Sequence, residues 1–417
     1  MVTKIKLGSE ERVRKLFSYP PNENDIFALD KEFKPVSEQR LVDTVQHYLE
    51  GSLRRDSFTD DTVTVRRING DIVAVFEGAA GEAYSTVLRD FLAAGDKAYN
   101  KSVELAKKGK WRYNWRFFLP LGLAMTNHVS VQLMHFPPDY VLEKDQDYLE
   151  AKTTEHWGAL LEANGATRGK TAKYQTIVDI APIAAPSDDG TRLKPVALQY
   201  GDYIYELLTT WLPFREDGLR PIVAFGGKVR DWLDDQNFEV KSTYGSGAIT
   251  FRCGLLQVPR LREKAALLEA NHPSYILIHQ KEVKDDPRTT NVDEKLASLV
   301  IIMRQDLIAA SWQVRMAARL RSDPVEALNA SEEKWMNAAK DEEIADLVRR
   351  LVLARQPADD KAPLPVEVPR SVVREALRPE TDLAKRSTEL ISDVMTRLRT
   401  RAQQPSYRGR RAAGATA

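Results

Sequence analysis

The chain has 417 residues, 43% of them hydrophobic and 29% charged, which suits two or three folded domains at about 150 residues each and excludes a wholly disordered protein. Lys and Arg number 61 against 60 Asp and Glu, so the net charge is +1 and any contact with nucleic acid must come from a local patch. The single cysteine, Cys253, excludes an internal disulfide framework and a Cys-rich zinc module.

The first 55 residues or so read as a helix, a Pro-containing loop ("SYPPNEND") and a second helix, "SEQRLVDTVQHYLEG". Leu41, Val42, Val45 and Leu49 fall at helical spacing there, and Gly51 is placed to end the helix. The period then changes. "DTVTVRRINGDIVAVFEG" predicts a β-hairpin: Val63 and Val65 alternate with polar neighbours, Asn69-Gly70 is the preferred two-residue turn, and Ile72, Val73, Val75 and Phe76 form the return strand. A helix from about Tyr84 to Lys108 follows.

From about 111 to 320 the pattern is mixed. "HVSVQLMHF" and "SYILIH" suggest strands, and "YGDYIYELLTTWL" and "PRLREKAALLEA" suggest helices. "LRPIVAFGGKVRDWLDDQ" predicts a strand, a Gly-Gly turn and a helix. Residues 292–355 are helical in pattern, and within them "SDPVEAL" marks a helix start, with Asp323 as cap and Pro324 in the first turn. "ARQPADDKAPLPVEVPR" has four prolines and reads as an extended linker. Thr381 to about Gln403 predicts an amphipathic helix, with Leu383, Leu390, Ile391, Val394 and Leu398 on one stripe. The residues after it are expected to be disordered.

Several stretches carry candidate chemistry. "WRYNWRFFLP" places Trp111 and Trp115 among Arg112 and Arg116, just after Lys107, Lys108 and Lys110. Aromatic faces stack on bases and lysines neutralise phosphates, so the segment is a candidate nucleic-acid surface. It equally suits the aromatic wall of a core with its arginines turned outward. In "VAFGGKVRDWL", Gly226, Gly227 and Lys228 form a candidate anion site at a helix start. It is not a P-loop, since the spaced first Gly is missing and Val229 follows the Lys. Arg397, Arg399, Arg401, Arg408, Arg410 and Arg411 meet no acid from Arg397 to the last residue, which suits a basic arm binding phosphates by counterion release. Cys253, inside "ITFRCGLL", is expected as a small buried hydrophobe. "NHVSVQLMH" and "NHPSYILIH" share a His spacing of seven, which in a strand points the two rings to opposite faces and argues against chelation. No metal site, cofactor or catalytic set of residues is implied.

Two resemblances accompany these residues. The order helix, strand, Asn-Gly turn, strand, Gly, helix is similar to the N-terminal domain of ParB-type partition proteins. That family carries a basic phosphate-handling run after the second strand, whereas this chain has "EGAAGEAYSTVL", so the resemblance implies no nucleotide site. "RFFLPLGLAMT" resembles the segment of flavin-dependent thymidylate synthases in which an Arg three residues before Leu-Pro contacts the nucleotide. By that resemblance Arg116 faces a phosphate or base. The Arg-His-Arg run and the downstream Ser with Arg-Tyr of that family are missing, which puts its activity in doubt here.

The expected fold is α+β: a mixed N-terminal domain with a β-hairpin (1–110), a larger α/β middle domain ending in helices (111–353), a Pro-rich linker (354–370), an amphipathic helical segment (371–403) and a disordered basic tail (404–417). The leading expected function is a nucleic-acid-associated binding or scaffolding protein in a larger complex. The alternatives are a nucleotide-handling enzyme and a structural homo-oligomer self-associating through the Leu383–Leu398 stripe. With no apolar run long enough for a membrane span and no apolar stretch suited to a secretory signal, a soluble cytoplasmic location is expected.

Overall fold

The computed structural model describes residues 1–17, 38–55, 58, 60–107, 116–117, 130–134, 152–166, 175–180, 183–184, 205, 208–209, 218–246, 249–285, 292–353 and 368–403. It has both helices and sheets and is α+β, as the sequence implies.

The N-terminal unit runs β1 (Val2–Ser9), α1 (Glu10–Phe17), α2 (Glu38–Arg55), β2 (Thr62–Ile68), β3 (Asp71–Glu77) and α3 (Ala80–Lys107). Its sheet has the order β1-β3-β2, antiparallel at both junctions. The hairpin forms at the expected turn, with φ of 53° at Asn69 and 84° at Gly70, the positive values that a tight two-residue turn needs. The helix expected before the Pro-containing loop forms as α1, but it begins only at Glu10, after the strand β1. Ile5 and Leu7 are buried between exposed Lys4 and Lys6, a period of two that pairs this segment with β3. Gly51 does not end α2, which continues to Arg55. Gln46 of α2 covers the outer edge of β2: its side chain donates to the Val63 carbonyl (2.5 Å) and accepts from the Val65 N–H (2.6 Å), standing in for a missing neighbour strand. The first turn of α3 receives the Asp61 carboxylate, 2.7 Å from the Ala80 N–H.

The larger unit is a six-stranded mixed sheet, ordered β6 (Gln175–Asp179), β5 (Ser130–Met134), β8 (Ile222–Phe225), β11 (Lys264–Ala270), β10 (Ile249–Gln257) and β9 (Phe238–Ser246). The first four are mutually parallel, and β10 and β9 complete an antiparallel meander. A separate two-residue pair joins β4 (Arg116–Phe117) to β7 (Ile183–Ala184). Between these strands lie α4 (Lys152–Ala163) and α5 (Gly227–Leu233).

After β11 the chain is helical among the described residues: α6 (Ser274–Asp285), α7 (Val292–Ala318), α8 (Pro324–Lys334), α9 (Ala338–Leu353), α10 (Arg370–Ala376) and α11 (Asp382–Gln403). α7 is the spine. It is buried on almost every side, from Leu296 to Met316, as expected of a core helix without a polar face. Val223, Phe225, Leu268, Ala270, Phe251 and Cys253 of the sheet pack in one core with α7. Val372 and Val373 of α10 and Ile391 of α11 join the same core. α8 starts as expected, with the Asp323 carboxylate accepting from the N–H groups of Val325 and Glu326 at 2.7 and 3.2 Å.

Two expected elements change type. "SYILIH" is not a strand but the start of α6, where Tyr275, Ile276 and His279 are buried at helical spacing. "PRLREKAALLEA" is not a helix. Its second half is β11, held between β8 and β10, where Ala265 and Leu267 are buried on one face and Leu268 and Ala270 belong to the core with α7. Burial on both faces removes the alternation by which a strand is recognised, and tertiary pairing overrides the helix preference of Ala, Leu and Glu.

Candidate functional site at the carboxyl ends of the parallel strands

The chain leaves β5 for β6 on one side, and after β8 it builds β9, β10 and β11 on the other. The strand order therefore reverses between β5 and β8. In open α/β sheets the crevice outside the carboxyl ends at such a reversal is where ligands bind. The residues following β8 and β11 border that crevice.

β8 ends at Phe225, and Gly226 turns the chain into α5 with φ of 86°. Its N–H donates to the Ala270 carbonyl at 2.9 Å, tying the end of β8 to the end of β11. A side chain on Gly226 would come within 3.3 Å of the His272 Cβ, so only glycine permits both this φ and this approach. His272 is fixed in turn by Ser274. The Ser274 N–H donates to His272 Nδ1 at 3.2 Å, and the Ser274 hydroxyl lies 2.6 Å from the same nitrogen. Because Nδ1 accepts from a backbone amide, the neutral ring carries its proton on Nε2. Burial lowers the His272 pKa to about 4, so the ring is neutral at physiological pH.

Beneath this turn is a buried polar cluster. Asn271, the residue after β11, donates from Nδ2 to Gln305 Oε1 (3.1 Å) and Asp306 Oδ1 (3.0 Å) on α7. His156 of α4 brings Nε2 to 3.8 Å from Asp306 Oδ2, too long for a hydrogen bond. Both atoms are buried without a hydrogen-bond partner. Burial raises the Asp306 pKa, and neighbouring His156 and Asn271 offset only part of that shift.

A second charged group braces the outer side of β11. The buried Glu269 carboxylate accepts from the Arg252 backbone N–H (2.9 Å) and from Arg252 Nε (2.8 Å), and Arg230 Nε of α5 lies 3.4 Å away. Arg252 also reaches Asp234 at the end of α5 (2.5 Å). Burial pulls the Arg252 pKa down, but Glu269 and Asp234 more than reverse this and leave it raised. These pairs fix α5 against β10 and β11, and with it the Gly226 turn.

Of the residues singled out in the sequence, Gly226, Gly227 and Lys228 lie at this crevice. Arg116 pairs through its backbone with Ala184 in the β4–β7 ladder, and Lys107 is the last residue of α3. Lys108, Lys110, Trp111, Arg112 and Trp115 lie outside the described residues, as do Arg408, Arg410 and Arg411. Arg397, Arg399 and Arg401 fall in the last turns of α11. Cys253 is buried in β10 as expected, and burial lifts its thiol pKa to about 12, which makes it inert. His128 and His135 of the first repeated histidine motif lie outside the described residues.

His156 and Asp306 are not among the residues singled out in the sequence, and Asn271, His272 and Ser274 enter there only through the repeated histidine motif, weighed against metal chelation. The sequence does hold a signal for some of them: "NHPS" has a Pro before a capping Ser, which marks a helix start just after an apolar strand. Asp306 lies inside "SLVIIMRQDLIAASW", where a carboxylate within a mostly apolar helix has to find a partner. Comparison of the chain with protein-family models, with curated proteins and with solved structures gives no match.

Proposed function

We propose that the protein binds nucleic acid and seats a nucleotide unit in the crevice outside the carboxyl ends of β5, β8 and β11. The observation that carries this reading is the reversal of strand order between β5 and β8, with Gly226 and the His272–Ser274 turn together beside it. A neutral imidazole with its proton on Nε2 donates a hydrogen bond without adding charge, which suits a base edge or a sugar oxygen. Lys228 in the first turn of α5 supplies a cation for phosphate. The aromatic-basic segment around Trp111 and the arginines after Gln403 support the same reading from the sequence alone.

The test is fluorescence anisotropy with labelled single- and double-stranded DNA and RNA at low and moderate salt. Full-length protein is expected to bind at least one of them. His272→Ala is expected to weaken binding with the salt slope unchanged. Removal of residues 404–417, which spares α11, is expected to reduce the log–log salt slope by up to about 0.9 for each phosphate of duplex DNA that the missing arginines would have neutralised. Absence of binding to all four probes at low salt would overturn the proposal.

A nucleotide-handling enzyme is the second reading, favoured by one observation: the buried Asp306, with its raised pKa, stands beside His156 and close to the same turn. Perturbed carboxyls next to histidines concentrate at active sites, though they also serve as buried networks that hold helices in register.

A further inference from the structure

A cavity of about 310 Å³ lies between α7, α9 and α10, lined among others by Arg304, Arg374, Arg378, Asp341 and Trp335. Three cations face one carboxylate there. Arg304 reaches it from the spine helix. One of its terminal nitrogens, Nη1, donates to the Leu377 carbonyl at 3.2 Å, while its Nε is buried without a hydrogen-bond partner. A guanidinium has five N–H donors, so this bond leaves the side chain with unused donors in a half-buried position. Arg374 on α10 and Arg378, two residues past its end, both line the cavity. Among the described residues neither forms an ion pair. Beside Trp335 the Lys334 and Lys340 ammonium groups lie 5.2 and 5.4 Å from the ring centroid, Lys340 paired with Glu343. Asp341 does not neutralise this set. The four titratable side chains of the lining carry a net of two positive charges, and Glu332, which faces Arg304 from the adjoining cavity, reduces the excess to one.

We propose that this cavity is a binding site for the phosphate group of a small phosphorylated molecule. Guanidinium groups match tetrahedral phosphate by paired N–H donors, and a dianion complements the excess charge of the lining. A second cavity of about 430 Å³ shares Arg304, Met336 and Leu377 with the first, and its lining combines apolar Ile301, Ile308 and Ala384 with charged Glu332, Lys385 and Glu389. The organic part of the molecule has room there. The second cavity reaches Gln305, whose side chain also accepts from Asn271 beneath the crevice at the carboxyl ends of the strands.

Thermal melts and calorimetric titrations of the full-length chain with inorganic phosphate, glycerol phosphate and a phenyl phosphate test this. Sodium chloride at matched ionic strength serves as the control. A saturable rise in melting temperature with phosphate beyond the chloride control is expected, with tighter binding for the monoester whose apolar group reaches the second cavity. The double variant Arg374→Ala/Arg378→Ala changes two exposed side chains and is expected to keep its melting temperature in chloride. It should lose at least tenfold in phosphate affinity. Arg304→Lys keeps the charge and is expected to weaken binding as well. A shift equal to that of chloride, or phosphate affinity unchanged in the double variant, overturns the proposal. Equal affinity for phosphate and both monoesters overturns the assignment of the organic part. Displacement of bound phosphate by a short oligonucleotide overturns the small-molecule assignment.

Discussion

Asp306 is buried and the His272 ring partly so, yet their titrations act on stability in opposite directions. The Asp306 pKa is raised from its ordinary 3.8, so the folded state favours the neutral carboxyl. Its contribution is full below that ordinary value and is lost as pH rises through the higher folded pKa. The His272 pKa is lowered from 6.5 to about 4, so the folded state favours the neutral ring. That contribution is present above 6.5 and is lost as pH falls towards 4. Asp306→Asn keeps an acceptor for Asn271 and removes the buried charge. It is expected to raise the melting temperature relative to the unaltered protein at pH 8, with the gain shrinking towards pH 4. His272→Gln is expected to flatten the loss of stability between pH 6.5 and 4. Thermal melts of the three proteins across that range decide the matter. A gain for Asp306→Asn that is the same at every pH would mean that its charge is not what the fold disfavours.

The elements that are legible in the sequence are those with a local cause. The β2–β3 turn is readable because Asn69 and Gly70 supply the positive φ themselves. The start of α8 is readable because Asp323 and Pro324 are adjacent to it. The strand–turn–helix around Gly226 is readable for the same reason. β11 and α6 differ from expectation because their type is set by neighbours distant in sequence: β8 and β10 flank β11, and His272 and Ser274 open α6 only once that strand has ended. The candidate site divides likewise. Gly226 to Lys228 can be picked out locally, whereas His156, Asn271 and Asp306 meet only through the packing of α4 and α7 on the sheet. The turn also gives a direct test. A side chain on Gly70 would touch nothing within 4 Å, so Gly70→Val costs only the strain of φ at 84°. The expected loss is about 1–3 kcal/mol, read from a urea melt. An unchanged midpoint would mean that the hairpin turns elsewhere.

At the scale of the whole molecule, the helices beyond the Pro-rich segment belong to the main core. Residues 354–367 of the expected linker lie outside the described residues, but Pro369 caps α10 and the chain from there on packs against α7. Val373 and Ile391 are buried, the Ser298 hydroxyl lies 3.3 Å from the Ser387 carbonyl, and Arg386 pairs with Glu294 at 3.2 Å. Ile391, in the stripe expected to self-associate, thus packs within its own chain, with Leu383 beside it on the same core. Val394 and Leu398 of that stripe lie beyond the described side chains. This packing changes what proteolysis should show. The four prolines of the linker disfavour regular structure, so trypsin is expected to cut first at Arg355 or Lys361. Yet the two fragments should stay together, because separating them would expose the apolar side chains of α10 and α11 and the face of α7 that they cover. The nicked protein is expected to run as two bands on a denaturing gel and as one peak, at the mass of the intact chain, on native size exclusion. Its melting temperature should fall by only a few degrees. A fragment starting after the cut that elutes alone under native conditions would show that α10 and α11 are an appended arm. In that case the phosphate cavity they help to line could not form without a covalent tether.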